Sequence, residues 1–138
     1  MRVVLDSNVL ISALISSGAP PHAIYRAWRD KRFLLVTSHA QIAELKRASR
    51  YPKLRAIVPA RDFGALLNHL HGALVLRTLP RVDISPDPDD NYLLAMAKAG
   101  AADFLVTGNA RHLLQLRKPG RARIVAPAEF LRAIERSR

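Results

Sequence analysis

The sequence predicts a single α/β domain, residues 1–138, built as three α/β/α layers around a five-stranded, mostly parallel sheet. Three observations lead there. Short apolar runs of strand length alternate with helical patterns along the whole chain, as they do in βαβ units. A chain of 138 residues is the size of one domain, and at that length roughly two-thirds of the unfolded surface is buried. With no cysteine to staple the fold, its 49% of hydrophobic residues must hold it together. A doubly wound sheet with the first strand central and right-handed crossovers is the expected arrangement.

Arg2-Val3-Val4-Leu5 opens the chain as a strand apolar on both faces. It ends in Asp6, which reads equally as the N-cap of the helix that follows and as a carboxylate in the crevice where parallel sheets bind ligands. Residues 9–15 form a short apolar helix that stops at the loop Ser16-Ser17-Gly18. Pro20 and Pro21 suit the first turn of a second helix, and Ile24, Ala27 and Trp28 give it one buried face. Residues 32–37 are the second strand. Ser38 and Gln41 make a capping-box pattern for a helix whose core side carries Ile42 and Leu45. Tyr51-Pro52 ends or kinks it.

Phe63, Leu66, Leu67 and Leu70 recur at i, i+3, i+4 and i+7. That stripe reads first as core and second as a surface for another copy of the chain. Residues 73–76 are the third strand, and residues 79–86 a proline-punctuated loop. The helix over residues 90–99, rich in small apolar residues, is suited to burial and closes at Gly100. Residues 104–107 are the fourth strand. A brief helix around Leu113, Leu114 and Leu116, a fifth strand over residues 123–125 and a last helix bearing Phe130, Leu131 and Ile134 complete the chain.

Twenty-two Lys and Arg against eleven Asp and Glu give a formal charge of +11, an imbalance that favours a polyanion such as nucleic acid. The basic residues crowd into residues 46–55 and 111–123. No apolar run approaches the ~18 residues of a membrane span, and the chain enters a strand too early for a signal peptide. A cytoplasmic protein without membrane contact is expected.

Acids are scarce, so their positions carry information. Asp6 follows strand one, Glu44 lies in the second turn of the helix after strand two, Asp87, Asp89 and Asp90 gather where a buried helix begins, and Asn109 follows strand four. All can face one crevice in a parallel sheet. Each also has a local reading: Asp87 as N-cap, Asp89 as a first-turn acid, Glu44 as a solvated partner of Lys46 or Arg47, Asn109 as an N-cap. Taken together, oxygen ligands without cysteine suggest Mg²⁺ or Mn²⁺. Such a centre inside an anion-attracting surface reads as a nuclease. The five histidines show no ligand spacing, and Asp103 stands at the wrong end of strand four to join the acids.

VVLDSNVLISAL, SHAQIAEL, DPDDNYLLAMAKAGAADFLVTGN and RIVAPAEFL together resemble, in order and spacing, the PIN-domain family. Within it they look like the small bacterial toxin components of toxin–antitoxin systems, kin to the VapC ribonucleases. The resemblance runs over residues 2–131. It implies a five-stranded parallel sheet, an Mg²⁺- or Mn²⁺-dependent endoribonuclease acting on RNA, a cognate antitoxin and a homodimer. It also implies that Asp6, Glu44 and Asp90 are catalytic metal ligands, with Asp87 and Thr107 as helpers. The fourth position, often an aspartate, is Asn109 here. Asparagine brings no negative charge, so one tightly held ion and one recruited with substrate are expected. Two other readings stand beside this one. An RNA-binding module that no longer cleaves would account for Asn109. A small-molecule phosphohydrolase would leave the +11 unexplained and lacks a second aspartate two residues after Asp6.

Overall fold

β1 (Arg2–Leu5) lies at the centre of the sheet, and Val3, Val4 and Leu5 are at most 1% exposed. The computed structural model describes residues 1–83, 85, 87–108, 113 and 121–136. After β1 come α1 (Ser7–Ile15), α2 (Pro20–Arg29), β2 (Leu34–Ser38), α3 (His39–Ala48), α4 (Pro52–Arg55) and α5 (Ala60–Leu70). Then follow β3 (Leu74–Leu76), α6 (Pro88–Ala99), β4 (Phe104–Val106), β5 (Arg123–Val125) and α7 (Pro127–Arg136). The strands run in the order β3-β2-β1-β4-β5, every pair parallel. Val4 sits opposite Val36 on one side and Leu105 on the other. The sheet is thus wholly parallel, and it reverses direction of growth between β1 and β4, the switch point where such folds open a crevice.

Period-two alternation divides the strand residues between two cores. Val3, Leu5, Leu35, Phe104, Val106 and Val125 face one side, packed against Leu10, Ile24, Trp28, Leu45, Leu66 and Phe130 of α1, α2, α3, α5 and α7. Val4, Val36, Leu105 and Ile124 face the other, covered by Leu93, Leu94, Met96 and Ala97 of α6 together with Leu113. The three expected layers are present. The brief helix expected around Leu113, Leu114 and Leu116 lies mostly outside the described residues. No helix among the described residues is long and apolar enough to cross a membrane.

Four details differ from or sharpen the sequence reading. The stripe of α5 is core, since Phe63, Leu66 and Leu70 are at most 3% exposed and Leu67, partly buried, packs against the same cluster. Pro52 does more than end α3: Tyr51 takes an extended conformation and Pro52 opens the four-residue α4, where a fixed φ and a missing N–H cost nothing. Asp103 is a clamp at the N-terminal end of the sheet. It accepts from the Arg2 N–H (2.8 Å) and from Arg121 (3.0 Å), contacts that, with the charge of Arg121, hold its carboxyl below the usual range.

Gly100 ends α6 for a reason of space. Its φ of −86° suits any residue, and the left-handed conformation falls on Ala101 instead, at φ 50°. A Cβ on Gly100 would stand 2.5 Å from Cγ1 of Val36 and 3.1 Å from the Met96 carbonyl oxygen. Only glycine lets α6 lie this close to β2. Gly100→Ala should therefore cost about 1–3 kcal/mol in urea denaturation, and the loss should shrink in a Val36→Ala background because the two positions share one contact. A Gly100→Ala protein as stable as wild type would show that the approach is looser than this.

Candidate functional site

The C-terminal ends of β1, β2 and β4 open on one side of the sheet, and a cleft of roughly 460 Å³ lies there. Asp6 is fixed at its floor by both its backbone and its side chain. Its N–H continues the ladder to Val106, donating to the carbonyl oxygen at 3.0 Å. Oδ1 accepts from the Asn8 N–H (3.1 Å), and Oδ2 accepts from the Thr107 hydroxyl (2.9 Å), itself fully buried. Both readings of Asp6 hold: it caps α1 and it lines the cleft.

Gln41 ties the second strand to this floor. Ser38 accepts from the Gln41 N–H (3.0 Å), the forward half of a capping box. The glutamine side chain does not turn back to complete it. Nε2 donates instead to the Leu5 carbonyl oxygen (2.8 Å) and to Ser7 Oγ (3.3 Å), while Oε1 accepts from the Thr37 hydroxyl (2.6 Å). With no exposure at all, Gln41 is a fully bonded polar joint between α3 and the end of β1. Three residues on, Glu44 is half-buried and, with Ala48 one turn further along the same face, lines the cleft.

The remaining acids come from the start of α6. Asp87 is its N-cap and accepts from the Asp89 N–H (2.9 Å), so the capping reading of Asp87 is correct, and the residue lines the cleft as well. Asp90 is only 3% exposed and accepts from the Ser85 hydroxyl (3.0 Å). Ser85 is the hub of this turn. Its Oγ also accepts from the Asp87 N–H (3.1 Å), and its backbone is gripped at both ends by the Asn91 amide, at 2.8 and 2.7 Å.

Asp6, Glu44, Asp87, Asp89 and Asp90 thus line one cleft, and no Lys or Arg lines it among the described residues. Ile11, Ala48, Tyr51 and Leu54 add apolar lining to the same cleft, with Tyr51 55% exposed. Tyr92 reaches in from α6. Burial, followed by the carboxylates of Glu44, Asp6 and Asp89, pushes its phenol above the usual value, and the nearby Ser38 hydroxyl draws it the other way without closing a hydrogen bond. Asn109 and His112 lie outside the described residues. None of the other histidines lines the cleft, and two of them are bonded elsewhere: His22 to the Ala13 carbonyl oxygen and His69 to Tyr25.

As the side chains stand, no three Asp, Glu or His residues among those described gather tightly enough to enclose an ion. The donor set nevertheless fits a hard divalent cation. Mg²⁺ keeps much of its water and is commonly held by one or two carboxylates, which demands less convergence than an all-protein cage. Asp6 and Asp90 are oriented by donors, and among the described residues none donates a hydrogen bond to Glu44 that would hold it back. Gln41, Ser85, Asn91 and Tyr92 are the contributors that sequence reasoning missed. The one available signal was polarity inside segments otherwise fit for burial.

A family model described as PIN domain matches residues 2–111. An uncharacterized protein of Methanocaldococcus jannaschii, MJ1680, is 25% identical over 146 residues, an alignment that covers 99% of this chain and 93% of that protein. No solved structure matches the chain. The geometry of the α6 turn makes its own prediction. Ser85→Ala removes the donor to Asp90 and the acceptor of the Asp87 N–H, and should cost about 1–3 kcal/mol with faster amide exchange at residues 87–91. Unchanged exchange there would mean that the turn is held without Ser85.

Proposed function

The chain belongs to the PIN domain family, whose members are typically nucleases, and from that premise we propose that it is an Mg²⁺- or Mn²⁺-dependent endoribonuclease, the toxin of a toxin–antitoxin pair. The observation that carries this reading is the gathering of carboxylates from three separate elements in one cleft of a chain whose net charge is +11. Acids concentrated at one place in so basic a protein repel one another without a cation between them. Asp6, Glu44 and Asp90 are the residues that would hold it, with Asn109 steering water or the scissile phosphate. When bound, the ion supplies positive charge against the phosphodiester and makes an attacking water more acidic.

The protein's own groups do the rest. Thr107 and the Asn8 N–H hold the Asp6 carboxylate in one orientation, and Ser85 does the same for Asp90. The segment that gives Tyr51 and Leu54 to the apolar lining also carries Arg50, Lys53 and Arg55, all exposed. Cations for the backbone beside an aromatic face for a base are the two elements of single-strand recognition. The antitoxin and a homodimer belong to the proposal on family analogy alone. An antitoxin that inserted an Arg among the carboxylates would block the site by supplying the cation's charge.

Asn109 favours a second reading, an RNA-binding module that does not cleave. Product formation separates the two, whereas salt-sensitive binding is common to both. Purified protein should cut a pool of structured and unstructured RNAs in Mn²⁺ and leave it intact in EDTA. Asp6→Asn should lower cleavage about 100-fold or more at unchanged melting temperature, because asparagine caps a helix as well as aspartate does. Cleavage by Asp6→Asn at the wild-type rate would remove Asp6 from the reaction.

A further inference from the structure

Asp6, Asp87 and Asp90 each accept a hydrogen bond that fixes them; Glu44 accepts none from the described residues. Facing it from α6 is the opposite deficiency. The Tyr92 hydroxyl oxygen is shut off from solvent and has no hydrogen-bond partner among the described residues. A buried donor left unpaired is destabilising, and such groups persist where another state satisfies them. Glu44 and Tyr92 line the same cleft, one from α3 and the other from α6, and of the charges acting on this phenol Glu44 ranks ahead of Asp6 and Asp89. A donor without an acceptor and a carboxylate without a donor stand across one cleft.

We propose that Tyr92 is a positioning residue for Glu44. The inference rests on the divalent-cation reading of the cleft. Without a cation, repulsion from Asp6 and Asp89 keeps the Glu44 carboxylate from turning inward, and the Tyr92 O–H stays unpaired. With a cation bound to cancel that repulsion, Glu44 would turn in and accept the Tyr92 O–H on one oxygen, leaving the other available to the ion. Tyr92 thereby couples α6 to α3 through the site, and it selects Glu44 from the two cleft acids, Glu44 and Asp89, whose carboxylates accept no hydrogen bond among the described residues. The competing acceptors are the nearby Ser38 hydroxyl and Asp89, three residues before Tyr92 on the same helix and exposed.

The test is a double-mutant cycle on the full chain, read as Mn²⁺ affinity by calorimetry and as the melting temperature of the metal-free protein. Tyr92→Phe should weaken Mn²⁺ about tenfold, the usual effect of losing an outer partner of a metal ligand. It should leave the metal-free melting temperature unchanged or higher, since the hydroxyl it removes is unpaired. In a Glu44→Ala background Tyr92→Phe should make no further difference, whereas in an Asp89→Asn background its full effect should remain. An equal loss in the Glu44→Ala background, an unaltered Mn²⁺ affinity, or a lowered metal-free melting temperature would overturn the role of Tyr92 while leaving the metal reading intact. A wild-type protein that binds no Mn²⁺ would overturn both.

Discussion

A strand buried on both faces is the constraint on which the rest of the structure depends. Val3, Val4 and Leu5 have almost no exposure, so β1 can sit between β2 and β4 in only one register. Slipping by one residue would exchange the two faces of the strand, and moving Asp6 into the sheet would bury an unpaired charge. Asp6 therefore falls at the first position where water or a ligand can reach it. Its backbone bond to Val106 and the grip of Gln41 on Leu5 extend the order of the sheet one residue past its formal end. The fold delivers a rigid carboxylate to the switch point of the sheet, where the helices on either side leave room.

The other acids reach the same cleft by different means, and the difference shapes what each can do. Asp90 is held by a turn whose polar groups satisfy one another through Ser85 and Asn91, so it is buried and fixed. Glu44 rides on a helix whose core face anchors it through Ile42 and Leu45, but its own carboxylate accepts no hydrogen bond from the described residues. One site thus combines fixed acids, Asp6, Asp87 and Asp90, with looser ones, Glu44 and Asp89. Such a combination suits a weakly enclosed hydrated cation, for which a small movement of one ligand completes the coordination.

Much of this was legible in the residues. Period-two runs such as Val3-Val4-Leu5 and helical spacings such as Phe63, Leu66 and Leu70 report burial directly, because burial is what selects those patterns. Asp6, Glu44 and Asp90 could be assigned to one crevice because a parallel sheet places its strand ends together, and the family resemblance named the same three. What stayed hidden was the long-range polar bonding. A glutamine three residues after a serine has the same appearance whether it closes a capping box or crosses to β1, and Gln41 does the latter. Ser85 sits in a proline-rich loop with no periodicity to mark it. The requirement for glycine at position 100 comes from Val36, a residue sixty-four positions away, and no local pattern records it.

The most direct measurement is a crystal structure of the full chain grown with Mn²⁺, with the ion located by its anomalous scattering. A peak in the cleft bonded to Asp6 and to at least one of Glu44 and Asp90 is the expected result. Full occupancy of the crystal by Mn²⁺ elsewhere, with none touching Asp6, would contradict a shared cation and leave the acids as helix caps in a basic α/β domain.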